Sequence, residues 1–200
     1  MKRIWNCSMA LLTAGLTAAL AVFYGTGAGA ALSVAITLGI TLYHVAMRLL
    51  VGLCIHGIYH NKMAGTGRWF REKPFERRLY RLLRVHRWKR WLPTWEKAFF
   101  DLQRRTPAEV VGATCQAEVV HELIAALSLL PMAMIPVWGA PGVILLTSVA
   151  AALVDLMFAV LQRYNRPRLL RLAERMQQRQ KSAGGEKPQA RAAAAQCRQK

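Results

Sequence analysis

The chain has 200 residues, 54% of them hydrophobic, and a formal net charge of +18. Apolar runs of membrane length alongside that charge point away from a soluble domain and from nucleic-acid binding, whose cations would stand on a soluble scaffold. The cysteines Cys7, Cys54, Cys115 and Cys197 show no CxxC or CxxxH spacing, so neither a disulfide framework nor a metal site is indicated.

The first apolar run extends from Met9 to Phe23 behind Lys2 and Arg3 and is followed by GTGAGA. This is also the outline of a cleavable signal peptide, with Ala28 and Ala30 in an A-x-A arrangement. A second run begins at once, Ala31 to Leu53, which favours a retained transmembrane hairpin over 1–58. His44 and Arg48 stand one turn apart on that second helix. They read either as an interior histidine with a snorkelling arginine or as the lining of a polar pocket.

Residues 59–112 are basic but punctuated by aromatics, among them Trp69, Phe75, Tyr80, Trp88 and Trp91. Phe75, Leu79, Leu82, Leu83 and His86 fall on one side of a predicted helix, with Arg77, Arg78, Arg81 and Arg84 on the remainder. Such a helix is expected to lie in the membrane interface, arginines towards anionic headgroups. The same charges suit the phosphates of coenzyme A or an acidic carrier protein.

The third run, Ala117 to Trp138, opens with Glu118, His121 and Glu122, and Pro131 and Pro136 are expected to kink or end it. Acids at a helix start have a simple dipole explanation. The spacing is not HExxH, so no zinc protease is indicated. The fourth run, Val143 to Leu161, holds one acid, Asp155, which must be protonated or paired inside the bundle, with Arg166 as a distant partner or Arg48 as a closer one. Asp155, Gln162 and Arg166 approach one face of that helix. Residues 176–200 read as a basic tail without fixed structure.

These features give an all-α integral membrane protein with about four transmembrane helices and an amphipathic, aromatic-basic cytoplasmic segment between the second and third. The short connections carry no charge, whereas the N-terminus, the central segment and the tail carry the cations, which predicts both termini in the cytoplasm of a bacterial cell membrane. That topology gathers Arg48, Glu118, His121 and the stretch from Asp155 to Arg168 on one side, as a pocket suited to a charged head and a fatty tail.

Three segments carry a resemblance to a known family. QRYNRPRL, Gln162 to Leu169, is the most specific; TCQAEVVHE matches a pattern like E-T-x-R-A-E-x-x-H-W at Thr114, Ala117, Glu118 and His121; and RWK at Arg87 to Lys89 is followed by Trp91, Leu92 and Pro93. Over Trp69 to Arg175 the chain thereby resembles the bacterial glycosyl-4,4'-diaponeurosporenoate acyltransferases, small membrane proteins of carotenoid biosynthesis. Ala113, Gln116 and Glu122 stand where the family pattern has Glu, Arg and Trp, and Asp155 where an Asn is expected, so the match is that of a divergent member.

The resemblance implies O-acyl transfer from a cytoplasmic thioester, acyl-coenzyme A or acyl carrier protein, to a hydroxyl of a lipid-like acceptor. No other cofactor and no metal is implied. His121 is then the candidate base, and Glu118 either orients it or holds the acceptor, 113–175 being the hairpin with the family motifs. Asn165, Arg163 or Arg166 would face a developing oxyanion, and Lys89, Arg166 and Arg168 a donor phosphate, with Trp88 beside them. The alternative is a non-enzymatic scaffold that binds anionic lipid or a partner through the basic aromatic segment. A transporter built on His44, Arg48 and Asp155 lacks the internal repeat such proteins show.

Overall fold

The computed structural model describes residues 2–63, 65, 67–89, 91 and 105–197. Among these the chain is helical, without a strand: α1 (Lys2–Thr26), α2 (Gly29–Tyr59), a 3-10 turn (Arg68–Phe70), α3 (Glu76–Leu82), α4 (Val85–Trp88), α5 (Pro107–Leu127), a second 3-10 turn (Leu130–Met134), α6 (Ile135–Trp138) and α7 (Pro141–Cys197). Four stretches are long and apolar enough to cross a membrane: Trp5–Thr26, Gly29–Tyr59, Pro107–Trp138 and Pro141–Met176. The all-α membrane architecture follows, because a spanning helix satisfies its own backbone groups where no water can.

Two compact units form, one of Met1–His60 with Gln116–Leu161 and one of Asn61–Cys115 with Gln162–Lys200. In the first, α1 and α2 make a hairpin that turns at Gly27, whose φ of +68° needs a residue without Cβ. α2 then packs on α5 through Met47, Val51 and Ile124, with Tyr43, Val120 and Leu127 around them. Lipid offers apolar surface no worse than a neighbouring helix, so close packing and polar links must hold this contact. One such link is the Tyr43 hydroxyl, which donates to the Leu127 carbonyl at the end of α5 over 2.8 Å.

α5 begins about three turns before the apolar run that announces it. Its start is a capping box, with Glu109 accepting from the Thr106 backbone N–H at 2.8 Å and the Thr106 hydroxyl accepting from the Glu109 N–H at 3.3 Å, and Pro107 as the first helical residue. Glu118 and His121 therefore lie in mid-helix, beyond the reach of the charge at the helix start. The helix stops before Pro131, where the chain tightens into 3-10 geometry.

In the second unit, the segment after α2 lies hard against the first turns of α5. A Cβ on Gly112 would come within 2.6 Å of the Asn61 carbonyl oxygen, and one on Gly65 within 2.7 Å of Val111. The single amphipathic helix predicted through Phe75 and His86 is instead two short ones, broken at Arg84 with φ +49°. Glu76, Tyr80 and Val85 turn inwards, while Phe75, Leu82 and Leu83 stay exposed. α7 passes through Gln162 to Leu169 without a break, although Pro167 has no N–H to return to the Arg163 carbonyl. The helical backbone continues to Cys197 where the sequence reading leaves a tail from 176; alanine, glutamine, lysine and arginine there favour a helix, whereas Gly184, Gly185 and Pro188 oppose it.

Candidate active site

In the first unit, three helices bring four ionisable side chains to one place. Asp155 of α7 is 2% exposed, and its carboxylate is shared: Arg48 of α2 donates to Oδ2, and His121 Nδ1 of α5 lies 3.0 Å from Oδ1. Arg48 also donates to the His44 carbonyl at 3.1 Å and to the Ala151 carbonyl at 3.4 Å, so its guanidinium bridges α2 and α7. The His121 ring stacks on Phe158, centroids 4.9 Å apart and planes 14° from parallel. His44 is buried at 6% exposure, edge-on to Tyr43.

An ionised carboxylate only accepts, so Asp155 fixes the hydrogen of His121 on Nδ1. The Nε2 lone pair is then left to take a proton, and the Phe158 face restricts ring rotation. Of the two partners open for Asp155, Arg48 makes the ion pair. The carboxylate at His121 Nδ1 is that of Asp155, and Glu118 is fully buried one turn earlier on α5.

In the second unit the QRYNRPRL segment supports a different set of contacts. Arg163 donates from Nε to buried Glu76 at 2.8 Å and from an NH2 nitrogen to the Trp69 carbonyl at 2.7 Å. Glu76 in turn accepts from the Tyr80 hydroxyl at 2.9 Å. Burial, and then Glu76, push the Tyr80 phenol well above its ordinary value. Arg166, 1% exposed, donates to the Phe70 carbonyl at 3.0 Å with its guanidinium 4.8 Å above the Phe70 ring.

Tyr164 gathers the remaining motif cations. Arg168 donates to its hydroxyl at 3.0 Å, and the Lys89 ammonium stands 5.2 Å from its ring centroid. Trp88 donates its indole N–H to the Leu83 carbonyl at 2.9 Å. Gln162 and Asn165 are half-buried on α7. Among the described residues, no group of histidines, cysteines and carboxylates has the form of a metal site.

The model of the glycosyl-4,4'-diaponeurosporenoate acyltransferase family matches residues 66–175, just over half of the chain. The chain belongs to that family. No curated protein and no solved structure matches it. Membership supports an acyltransferase role in carotenoid biosynthesis, and the matched span holds His121, Asp155 and all of Gln162 to Leu169. Arg48, which neutralises Asp155, lies outside it.

The sequence reading missed Glu76, Tyr80 and Phe158. Nothing local distinguishes a Glu beside arginines as buried. A usable signal did exist for α5, since Thr106-Pro107 followed by Glu109 is a helix-start pattern that places His121 in mid-helix.

Proposed function

We propose that this family member transfers a fatty acyl chain from a thioester donor, acyl-coenzyme A or acyl carrier protein, to a hydroxyl of a lipid-like acceptor, of which a glycosylated carotenoid is one. The observation that carries the reading is the 3.0 Å contact of His121 Nδ1 with Asp155. The acceptor hydroxyl gives its proton to His121 Nε2 as its oxygen attacks the thioester carbonyl. Collapse of the tetrahedral intermediate expels the thiolate, which takes that proton back, so the dyad ends as it began. The thioester supplies the driving force, and the exchange needs no cofactor.

Asn165, Arg166 and Trp88 keep the substrate-binding roles drawn from the motif, whereas Lys89 and Arg168 stand at Tyr164. The distribution of cations supports a bacterial cytoplasmic membrane with both termini inside. Exposure of Trp69, Phe75, Leu82, Leu83 and Trp91 beside Arg77, Arg78 and Arg81 supports seating of the central segment in the headgroup region.

The test is His121→Ala in the full chain, expressed in cells that make the acceptor, with extracted lipids read by mass spectrometry for a species heavier by one acyl chain. Loss of about 10²–10⁴-fold in product, with the protein inserted and its melting temperature kept, is the expected result. Undiminished product removes the dyad. The scaffold reading has the exposed aromatic-basic face in its favour, and it predicts the reverse: function lost on charge reversal at Arg77, Arg78 and Arg81 and kept in His121→Ala.

A further inference from the structure

Within the second unit, α7, the Phe70–Glu72 stretch and α3 enclose a cavity of about 460 Å³. Among the described residues, four arginines line it, Arg71, Arg77, Arg166 and Arg171, against a single carboxylate, Glu72. Arg71 and Arg171 belong to none of the motifs that define the family resemblance. The walls between the cations are apolar, made by Phe70, Pro167 and Leu170.

Three of the four guanidinium groups are held by neighbours that line the cavity with them. Arg166 is buried, fastened to the Phe70 carbonyl and ring. Arg171 donates from Nε to the Pro167 carbonyl at 3.1 Å. Arg77 grips Glu72 with Nε and an NH2 nitrogen at 2.9 and 3.3 Å. That hydrogen bond, and then the charges of Arg77 and Arg171, hold the Glu72 carboxyl below its usual range. Glu72 thus answers one of the four positive charges, and the other three line the cavity with no further carboxylate beside them among the described lining residues. Guanidinium groups gathered around one cavity repel one another unless an anion stands between them, and phosphate oxygens match their geometry by paired hydrogen bonds. The volume is that of a small-ligand site.

We propose that this cavity is a binding site for a phosphate-ester anion, with Arg71, Arg166 and Arg171 as its ligands and Arg77 set by Glu72. The anion belongs to the phosphate-bearing arm of the thioester donor, a choice that rests on the acyl-transfer reading. An anionic phospholipid headgroup presents the same chemistry. Arg71 and Arg171 replace Lys89 and Arg168 as the principal donor-phosphate groups, since those two are turned to Tyr164.

The experiment uses the full chain carrying His121→Ala, so that binding is read without turnover, in phosphatidylcholine nanodiscs. Coenzyme A, pyrophosphate and pantetheine are titrated by calorimetry. Coenzyme A and pyrophosphate bind, pantetheine does not, and Arg71→Ala with Arg171→Ala weakens both by at least about ten-fold. Arg171→Lys, which keeps charge but not the fork, falls between, and guards against a folding defect in the double variant.

A second arm adds spin-labelled phosphatidylglycerol to the discs. Immobilised lipid that is lost in the double variant, with no binding of coenzyme A, assigns the anion to the membrane and overturns its assignment to the donor. Equal affinities in parent and double variant, or no binding of any phosphate probe, overturn the site altogether. Failure of the acyl-transfer reading is seen separately, as turnover that survives His121→Ala in the otherwise native chain.

Discussion

Asp155 holds His121 by one carboxylate oxygen and Arg48 by the other, so a single buried side chain on α7 links α2 to α5. Its two duties, orienting a base and answering a partly buried cation, can be separated by substitution.

Asp155→Ala leaves Arg48 without its partner and His121 without its acceptor, and both stability and activity fall. Breaking this pair from one side costs less than the about 3–5 kcal/mol of a fully buried one, because Arg48 is partly exposed, and loss of the oriented base costs about 10²–10⁴-fold in rate. Arg48→Ala added to Asp155→Ala restores much of the stability and none of the activity. Asp155→Asn falls between, because its amide oxygen can serve His121 or Arg48 but not both. Thermal melts in detergent beside product yields from extracted lipid give the two readouts; equal recovery of both in the double variant would refute an orienting role.

The Tyr80 phenol, raised by burial and by Glu76, makes the second unit sensitive to alkali. A group whose folded proton affinity exceeds its unfolded one stabilises the fold fully below the unfolded value, about pH 10 for tyrosine, and loses that contribution as pH rises towards the folded value. The melting temperature of the native chain should therefore drop above about pH 10. Tyr80→Phe should flatten that decline while costing about 1 kcal/mol near neutrality through the lost hydrogen bond to Glu76. An identical alkaline profile in the two proteins would assign the effect elsewhere.

Gly112 tests the seating of the segment after α2. A methyl group there would meet the Asn61 carbonyl oxygen at 2.6 Å, a backbone atom that cannot swing aside as a side chain does. Gly112→Ala should destabilise by about 1–3 kcal/mol despite alanine's higher helix propensity. Limited proteolysis between residues 60 and 70 should accelerate in the variant; a stabilised variant would mean that the loop yields without strain.

Much of this protein is legible without coordinates. Four apolar stretches of spanning length must be helices, because lipid leaves a backbone no other way to satisfy itself, and Gln162 to Leu169 with the His121 segment is enough to point to the family. The structure bore out Arg48 as the closer partner of Asp155, a pairing the sequence could only leave open. Tertiary structure alone brought Asp155, from another helix, to His121 Nδ1. It also decided that Glu76 turns inward to Arg163, and that Arg71 and Arg171 meet Arg166 around one cavity. Periodicity reports which residues share a face of one helix. Which faces meet, and at what height, depends on the rotation and offset of packed helices, and no local pattern records either.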